Sequence, residues 1–366
     1  MSSRPVDRVT IVGPIAMPGE PALGGFQSSN LRLAGVVGLR HPMVALLRYP
    51  DIIGTLGRKL WLYGTMFPKI ALTLLLARGR GSLVHFTPLC RHFLPFELLI
   101  ALCAKLRGHR LVIDIRAGSR INHYRERGQF YRWMFRTLLR VADAIGYEGK
   151  PYGPFIEELV GNDRAEWLPN FVPISIVRRR TGQQPHNGPN LVYVGRLSHE
   201  KGVAALLAAF KPLKQTCPCA TLTLIGAWDP GFEKAADPAL LSEDGVTVAG
   251  SLSEEAVLSR LDAAHFFVFL SHFHGEGHSN ALTEAMARGC VPVVTRHGFS
   301  EAVVGETGRV VEARDDSAAV AARIAEIWTK GDWLSLSQAT SDNVELRFSD
   351  KAVATTIERL YAKAAA

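Results

Sequence analysis

The chain has 366 residues, 47% of them apolar and 21% charged. That composition excludes a disordered or fibrous chain, and at ~150 residues per domain it sets an expectation of two domains. The net charge of +8 is uneven: residues 1–180 hold 26 Lys and Arg against 12 Asp and Glu, and the remainder holds 16 against 22. A basic half beside an acidic half points to an anionic partner for the first. Nucleic acid is not expected, because no aromatic-interleaved basic stripe and no nucleic-acid module is present. Anionic lipid fits better, since the basic half also carries the apolar stretches 60–77 and 93–106. Neither stretch is expected to span a bilayer: Pro68 and Lys69 interrupt the first, and Glu97 and Lys105 the second. Met1 to Asp7 is polar, so no secretory signal is expected, and the chain is placed in the cytoplasm, peripheral on the inner face of the membrane. Five cysteines cannot form a disulfide scaffold, and Cys217-Pro-Cys219 lacks a second pair for zinc; Cys90, Cys103 and Cys290 read as core thiols.

In chain order, strands are predicted at Val9–Gly13, Ser82–Phe86, Arg110–Ile115 and Asp143–Tyr147, with helices at Pro95–Arg107 and Gln129–Val141. The pattern restarts with a strand at 190–195, a helix at 202–214 and a strand at 221–226. Strands 246–249, 265–270 and 291–295 follow, with helices at 254–263, 281–288 and 315–328. The polar, Gly- and Pro-rich run Arg178–Pro189 reads as a linker or long loop between the halves. Alternating β and α segments predict two doubly wound Rossmann-like domains with a cleft between them, ligands sitting at the carboxyl ends of the strands. The boundaries are 1–172 and 173–349, with helix 350–363 joining the first.

Two segments carry chemistry. In Leu191-Val-Tyr-Val-Gly-Arg-Leu-Ser-His-Glu-Lys-Gly202 a strand ends, a loop presents Arg196 and Lys201, and a helix begins. Cations beside a helix N-terminus make an anion site; the plainer alternative is a solvated basic loop. In Ser271–Gly289, Glu276 lies in a loop and Glu284 eight positions on in a helix that Ser279 or Asn280 caps. Eight helical residues span ~12 Å, wider than the ~5 to 9.5 Å of glycosidase carboxyl pairs, so hydrolysis is disfavoured. Two acceptors so placed suit hydroxyls at the two ends of an extended ligand, with the N–H groups of 277–280 facing an anion between them. His272, His274 and Glu276 suggest zinc only weakly, since alternate strand residues share a face by period alone and no further ligand is evident; no metal is expected.

Taken together, the chain resembles the family 4 retaining glycosyltransferases of GT-B architecture, most strongly over 190–312. The resemblance rests on Gly195-Arg196…Lys201-Gly202, Glu276-x7-Glu284, Ala285–Thr295, Gly298-Phe-Ser-Glu301 and Gly308-Arg-Val-Val311. More loosely, it includes Gly24-Gly25 and Trp167–Pro173. It implies a nucleoside-diphosphate sugar donor, with Arg196 and Lys201 on the diphosphate and leaving-group charge. Glu276 would hold donor-sugar hydroxyls and Glu284 the ribose. Gly277, His278, Ser279 and Asn280 would offer backbone N–H groups, and Gly24 and Gly25 would let the first domain's backbone approach the diphosphate. Transfer would proceed with retention to a glycan hydroxyl, on a lipid-linked acceptor in bacterial surface polysaccharide assembly, with no cofactor, metal or protein nucleophile. A silent nucleotide-sugar-binding subunit and a transferase for a soluble acceptor are the alternatives. His278 stands where the family often has Phe, which implies a departure in sugar recognition. Arg116 and Ala117 replace the family's His-Asp pair; Arg116 is read as binding the donor diphosphate or an acceptor phosphate, the alternative being a surface Arg or an ion pair with Asp114.

Overall fold

The computed structural model describes residues 6–17, 20, 24–50, 55–182, 187–235, 237–312 and 316–366, the Leu56 side chain excepted. The chain forms two compact units, Met1–Phe171 with Asp350–Ala366, and Val172–Ser349.

The first unit runs β1 (Arg8–Gly13), α1 (Gly25–Gly38), β2 (Met43–Arg48), α2 (Leu56–Leu76), β3 (Ser82–Phe86), α3 (Leu94–Leu106), β4 (Arg110–Ile115), α4 (Arg120–Glu126), α5 (Gln129–Val141), β5 (Ala144–Tyr147), α6 (Gly153–Val160) and β6 (Ala165–Trp167). All six strands are parallel, in the order β2-β1-β3-β4-β5-β6. β3 and β4 are buried almost throughout, as strands with both faces covered are. The edge strand β2 is only half buried and did not read as a strand. α2 also departs from the sequence reading, since it continues through Pro68 as one 21-residue helix. Among the described residues, no helix is long and apolar enough to cross a membrane.

The second unit runs β7 (Asn190–Val194), α7 (Val203–Thr216), β8 (Thr221–Ile225), α8 (Pro230–Ala235), α9 (Pro238–Leu241), β9 (Val246–Gly250), α10 (Glu254–Ala263), β10 (Phe266–Phe269), α11 (Asn280–Ala287), β11 (Val291–Thr295), α12 (Ser300–Val304), β12 (Arg309–Val311), α13 (Ser317–Lys330) and α14 (Trp333–Arg347). Its parallel order is β12-β11-β10-β7-β8-β9, so the strand order reverses between β7 and β10. A doubly wound sheet opens its crevice at such a switch point, and both chemistry-bearing segments leave the sheet there.

The segment read as a linker or long loop carries no helix or strand among its described residues, but it does not lie between the units. Arg178 to Arg180 belong to the second unit, and buried Arg180 donates to the carbonyls of Arg288 and Leu261 at 3.0 and 2.8 Å. Residues 183–186 of that segment lie outside the described residues.

α15 (Asp350–Ala365) returns to the first unit. Val353, Ile357, Leu360 and Tyr361 join Val9, Ile11, Leu83 and Val112 in one core cluster. Beneath it lies a buried polar chain. The Tyr361 hydroxyl is 3.1 Å from His85 Nδ1, and His85 Nε2 is 3.4 Å from Asp114 Oδ2. Against the upward push of burial, Arg116 and His85 together hold the Asp114 carboxyl below its ordinary range.

A second buried carboxylate shapes the loop after β3. Glu97 accepts from the N–H groups of Leu89 and Cys90 at 2.6 and 2.8 Å and from the Tyr49 hydroxyl at 3.1 Å. It thereby holds Cys90 and Arg91 at φ 55° and 54°, which L residues seldom adopt. Complete burial pushes this carboxyl from the ordinary 4.5 up to about 7. A raised carboxyl keeps its proton in the fold after the unfolded chain has lost it, so its contribution is full below pH 4.5 and lost as pH rises to 7. Calorimetry from pH 4.5 to 7 should therefore show wild type losing about 3 kcal/mol relative to Glu97→Gln, which cannot titrate at that position.

Candidate active site

Gly195 follows β7, and the loop to Gly202 is pinned by the Tyr193 hydroxyl donating to the Arg196 carbonyl at 2.9 Å. Gly202 is the hinge into α7. At φ 76° it lies in the left-handed region, and a Cβ there would sit 2.1 Å from the Leu270 carbonyl oxygen. Glycine is therefore required both by conformation and by the close passage of the neighbouring strand end.

This contact brings the second segment alongside. Leu270 follows β10 and leads into Ser271–Gly275, with the His272 N–H donating to the Glu200 carbonyl at 2.8 Å. Lys201 Nζ then reaches Glu276 Oε2 at 2.8 Å. Ser271 Oγ donates to the same oxygen at 2.5 Å, so among the described residues Oε1 is left without a protein donor. Lys201 also lies over the Phe273 ring, 4.9 Å from its centroid, a contact that favours a cation. Burial, and then the negative charge of Glu276, push the Tyr193 phenol well above its ordinary range, so it remains a neutral donor. The loop after β11 supports the arrangement from behind. Thr295 Oγ1 donates to the Ser271 carbonyl at 2.7 Å, His297 Nε2 is 2.8 Å from the Phe273 carbonyl, and Gly298 packs directly on the Glu276 backbone.

The structure thus joins Lys201 to Glu276 across 75 residues of sequence. Arg196 lies on the same loop as Lys201 with an exposed side chain, on a cavity of about 540 Å³ that Ser198, His199, Leu207, Asp229 and Phe232 also line. Gly277 leads into α11, which Ser279, rather than Asn280, caps by accepting from Leu282 N–H at 3.4 Å. Glu284 is half buried on that helix. Gly24 caps α1 and Gly25 begins it, with open space where a Gly24 Cβ would lie.

Two further candidate residues have buried side chains, His278 being the first. It is buried, with Nε2 2.7 Å from Thr283 Oγ1 and its ring edge-on to Phe348 at 4.9 Å, the place a Phe of that shape would also fill. Arg116 is the second. It is 1% exposed, its Nε donates to Asp114 at 2.6 Å and its NH1 donates to Asn170. It therefore forms the ion pair with Asp114, while its NH2 is buried with no hydrogen-bond partner among the described residues. Ala117, the next residue, takes φ 79° and is locked there by its N–H to Glu148 and by the Tyr152 hydroxyl on its carbonyl. Sequence reasoning missed Ser271, Thr295 and His297, whose roles depend on which strand ends adjoin. Among the described residues, no group of three or more His, Cys, Asp or Glu could hold a metal; His272 instead packs edge-on to His199 at 5.3 Å.

Residues 188–330 match the family model described as Glycosyl transferases group 1. The chain is 34% identical to a glycogen synthase of Mycobacterium tuberculosis over 181 residues, 47% of this chain and 40% of that one. It is 26% identical to a GDP-mannose:cellobiosyl-diphosphopolyprenol alpha-mannosyltransferase of Xanthomonas oryzae pv. oryzae over 231 residues, 61% of this chain and 59% of that one. The chain therefore spans less than two thirds of either curated relative. A sucrose-phosphate synthase from Thermosynechococcus elongatus superposes with a TM-score of 0.73 at 18% identity, over 97% of this chain and 98% of that one. The two six-stranded parallel sheets with their helices are the GT-B fold.

Proposed function

We propose that this chain is a retaining glycosyltransferase of the family 4 type, moving a sugar from a nucleoside-diphosphate sugar to a hydroxyl of a lipid-linked glycan in bacterial surface polysaccharide assembly. The observation that carries the reading is the Lys201–Glu276 pair at the switch point of the second sheet, inside the region that matches the glycosyltransferase model. The mannosyltransferase likeness supports both the nucleotide-sugar donor and the lipid-linked acceptor, and with them a place on the inner face of the membrane.

The roles follow from charge and position. Arg196 and Lys201 compensate charge as the sugar C1–O bond to the diphosphate breaks; Lys201, already held by Glu276, needs no rearrangement at that moment. The acceptor oxygen bonds to C1 on the face the diphosphate leaves, and its proton passes to the departing phosphate oxygen. Neither a protein nucleophile nor a metal has a part in this scheme. Glu276 Oε1 takes a donor-sugar hydroxyl while Lys201 and Ser271 fix Oε2. Glu284 takes the ribose hydroxyls, and the N–H groups of Gly277 to Asn280 face the phosphate at the start of α11.

A thermal-shift panel of UDP-, GDP-, ADP- and TDP-sugars tests the donor. One nucleotide class should raise the midpoint of the wild type at millimolar concentration, and Glu276→Ala should abolish the gain from the sugar moiety. No shift with any member would overturn the reading. A shift without nucleotide release in the presence of acceptor extracts would replace it with the silent binding subunit.

A further inference from the structure

We propose that the outer face of the helical layer α2, α3 and α5 in the first unit is a docking surface for an anionic lipid bilayer. The proposal deepens the lipid-linked acceptor reading above and rests on it for the partner.

The three helices lie side by side, α2 along α3 and α3 along α5. Their inner faces are settled by packing. Phe67 of α2 stacks on Phe93 and Phe96 at 5.7 and 5.5 Å, while Phe135, Leu138 and Leu139 of α5 are buried. What remains outward is unusually apolar. Trp61, Leu72 and Leu76 fall within about 60° of one line on α2 at 100° per residue. Leu99, Leu102 and Leu106 follow one another on α3 at spacings of three and four, and Phe130 and Trp133 stack at 5.8 Å on α5. Trp61, Leu72, Leu76, Leu106, Phe130 and Trp133 are each more than half exposed. Single exposed leucines are ordinary, but parallel lines of them on three adjoining helices are not.

Charge selects the occupant. Residues 55–141 hold sixteen Lys and Arg against three carboxylates, and two of those, Glu97 and Asp114, are buried. Arg58 and Lys69 on α2, Arg136 and Arg140 on α5, and Arg78 and Arg107 just beyond the ends of α2 and α3 are exposed. A face that combines apolar ridges, indole and phenyl rings and a near-uniform positive field is complementary to acyl chains beneath anionic headgroups. A second copy of the same face would meet it with like charge.

Sedimentation with vesicles tests this using the full chain. At low ionic strength the wild type should bind phosphatidylglycerol-containing vesicles at least tenfold more tightly than pure phosphatidylcholine, and added salt should weaken binding. The triple variant Trp61→Ser, Phe130→Ser, Trp133→Ser should lose at least tenfold in affinity with an unchanged melting midpoint, since none of these rings is buried. Equal binding to both lipids, no binding to either, or undiminished binding by the triple variant would overturn the proposal. So would self-association of the wild type that the triple variant abolishes, which would assign the face to a second copy. Nucleotide-sugar binding by the triple variant should stay at the wild-type level. Loss of donor binding in the wild type, with vesicle binding intact, would remove the enzymatic reading and leave the surface standing.

Discussion

Alanine at Lys201 is expected to cut nucleotide release from the donor sugar by a factor of about 10² to 10³, the range found when one preorganised donor to developing charge is deleted. The ammonium is held in place twice, by Glu276 Oε2 at 2.8 Å and by the Phe273 ring. No motion is then needed to bring it to the leaving group. Removing it also strands a buried carboxylate: the Glu276 side chain is only 8% exposed and would retain the Ser271 hydroxyl alone as a donor. The variant should therefore lose some thermal stability as well as turnover. Lys201→Arg separates the two effects, because it restores a cation for Glu276 without reproducing the placement of a point charge. Recovery of stability with activity still depressed at least tenfold is the expected result. Wild-type turnover in Lys201→Ala would refute the assigned role.

The second large effect is conformational. Gly202→Ala should destabilise the second unit by about 3 kcal/mol or more, since the substitution combines a left-handed backbone with a backbone overlap that no rotamer can relieve. For a unit of this size that corresponds to a fall of about 10 °C in its calorimetric transition. The first unit's transition should stay in place. A Gly202→Ala protein that melts like the wild type would show that the loop and the Leu270 strand end are not packed as described.

What was legible in the sequence follows from where the physics is local. Ser82–Phe86 and Arg110–Ile115 were readable because a strand covered on both faces is mostly apolar, here with His85 and Asp114 as buried exceptions, and Glu254–Ala263 because Ser253 caps it. β2 escaped because an edge strand packs on one side only and its composition, Met-Val-Ala-Leu-Leu-Arg, shows no clean alternation. α2 escaped because Pro68 signals a break, yet its ring stands on the exposed side and the rest of the helix is anchored by Phe67, Ile70 and Leu74. In the site, Lys201 and Glu276 could be nominated by residue type and spacing. Their ion pair could not, because it depends on β10 lying beside β7. Arg116 shows the converse limit. A cation at a strand end reads as a ligand group, and only the positions of Asp114 and Asn170 reveal that it is buried in an ion pair.

The return of α15 ties β1 to a segment more than 300 residues later. A ribosome releases β1 to β6 long before Leu360 and Tyr361, so the early half waits with an uncovered flank until residues 350–366 emerge. Deleting residues 350–366 would accordingly spare the second unit and wound the first, although they follow the second in sequence.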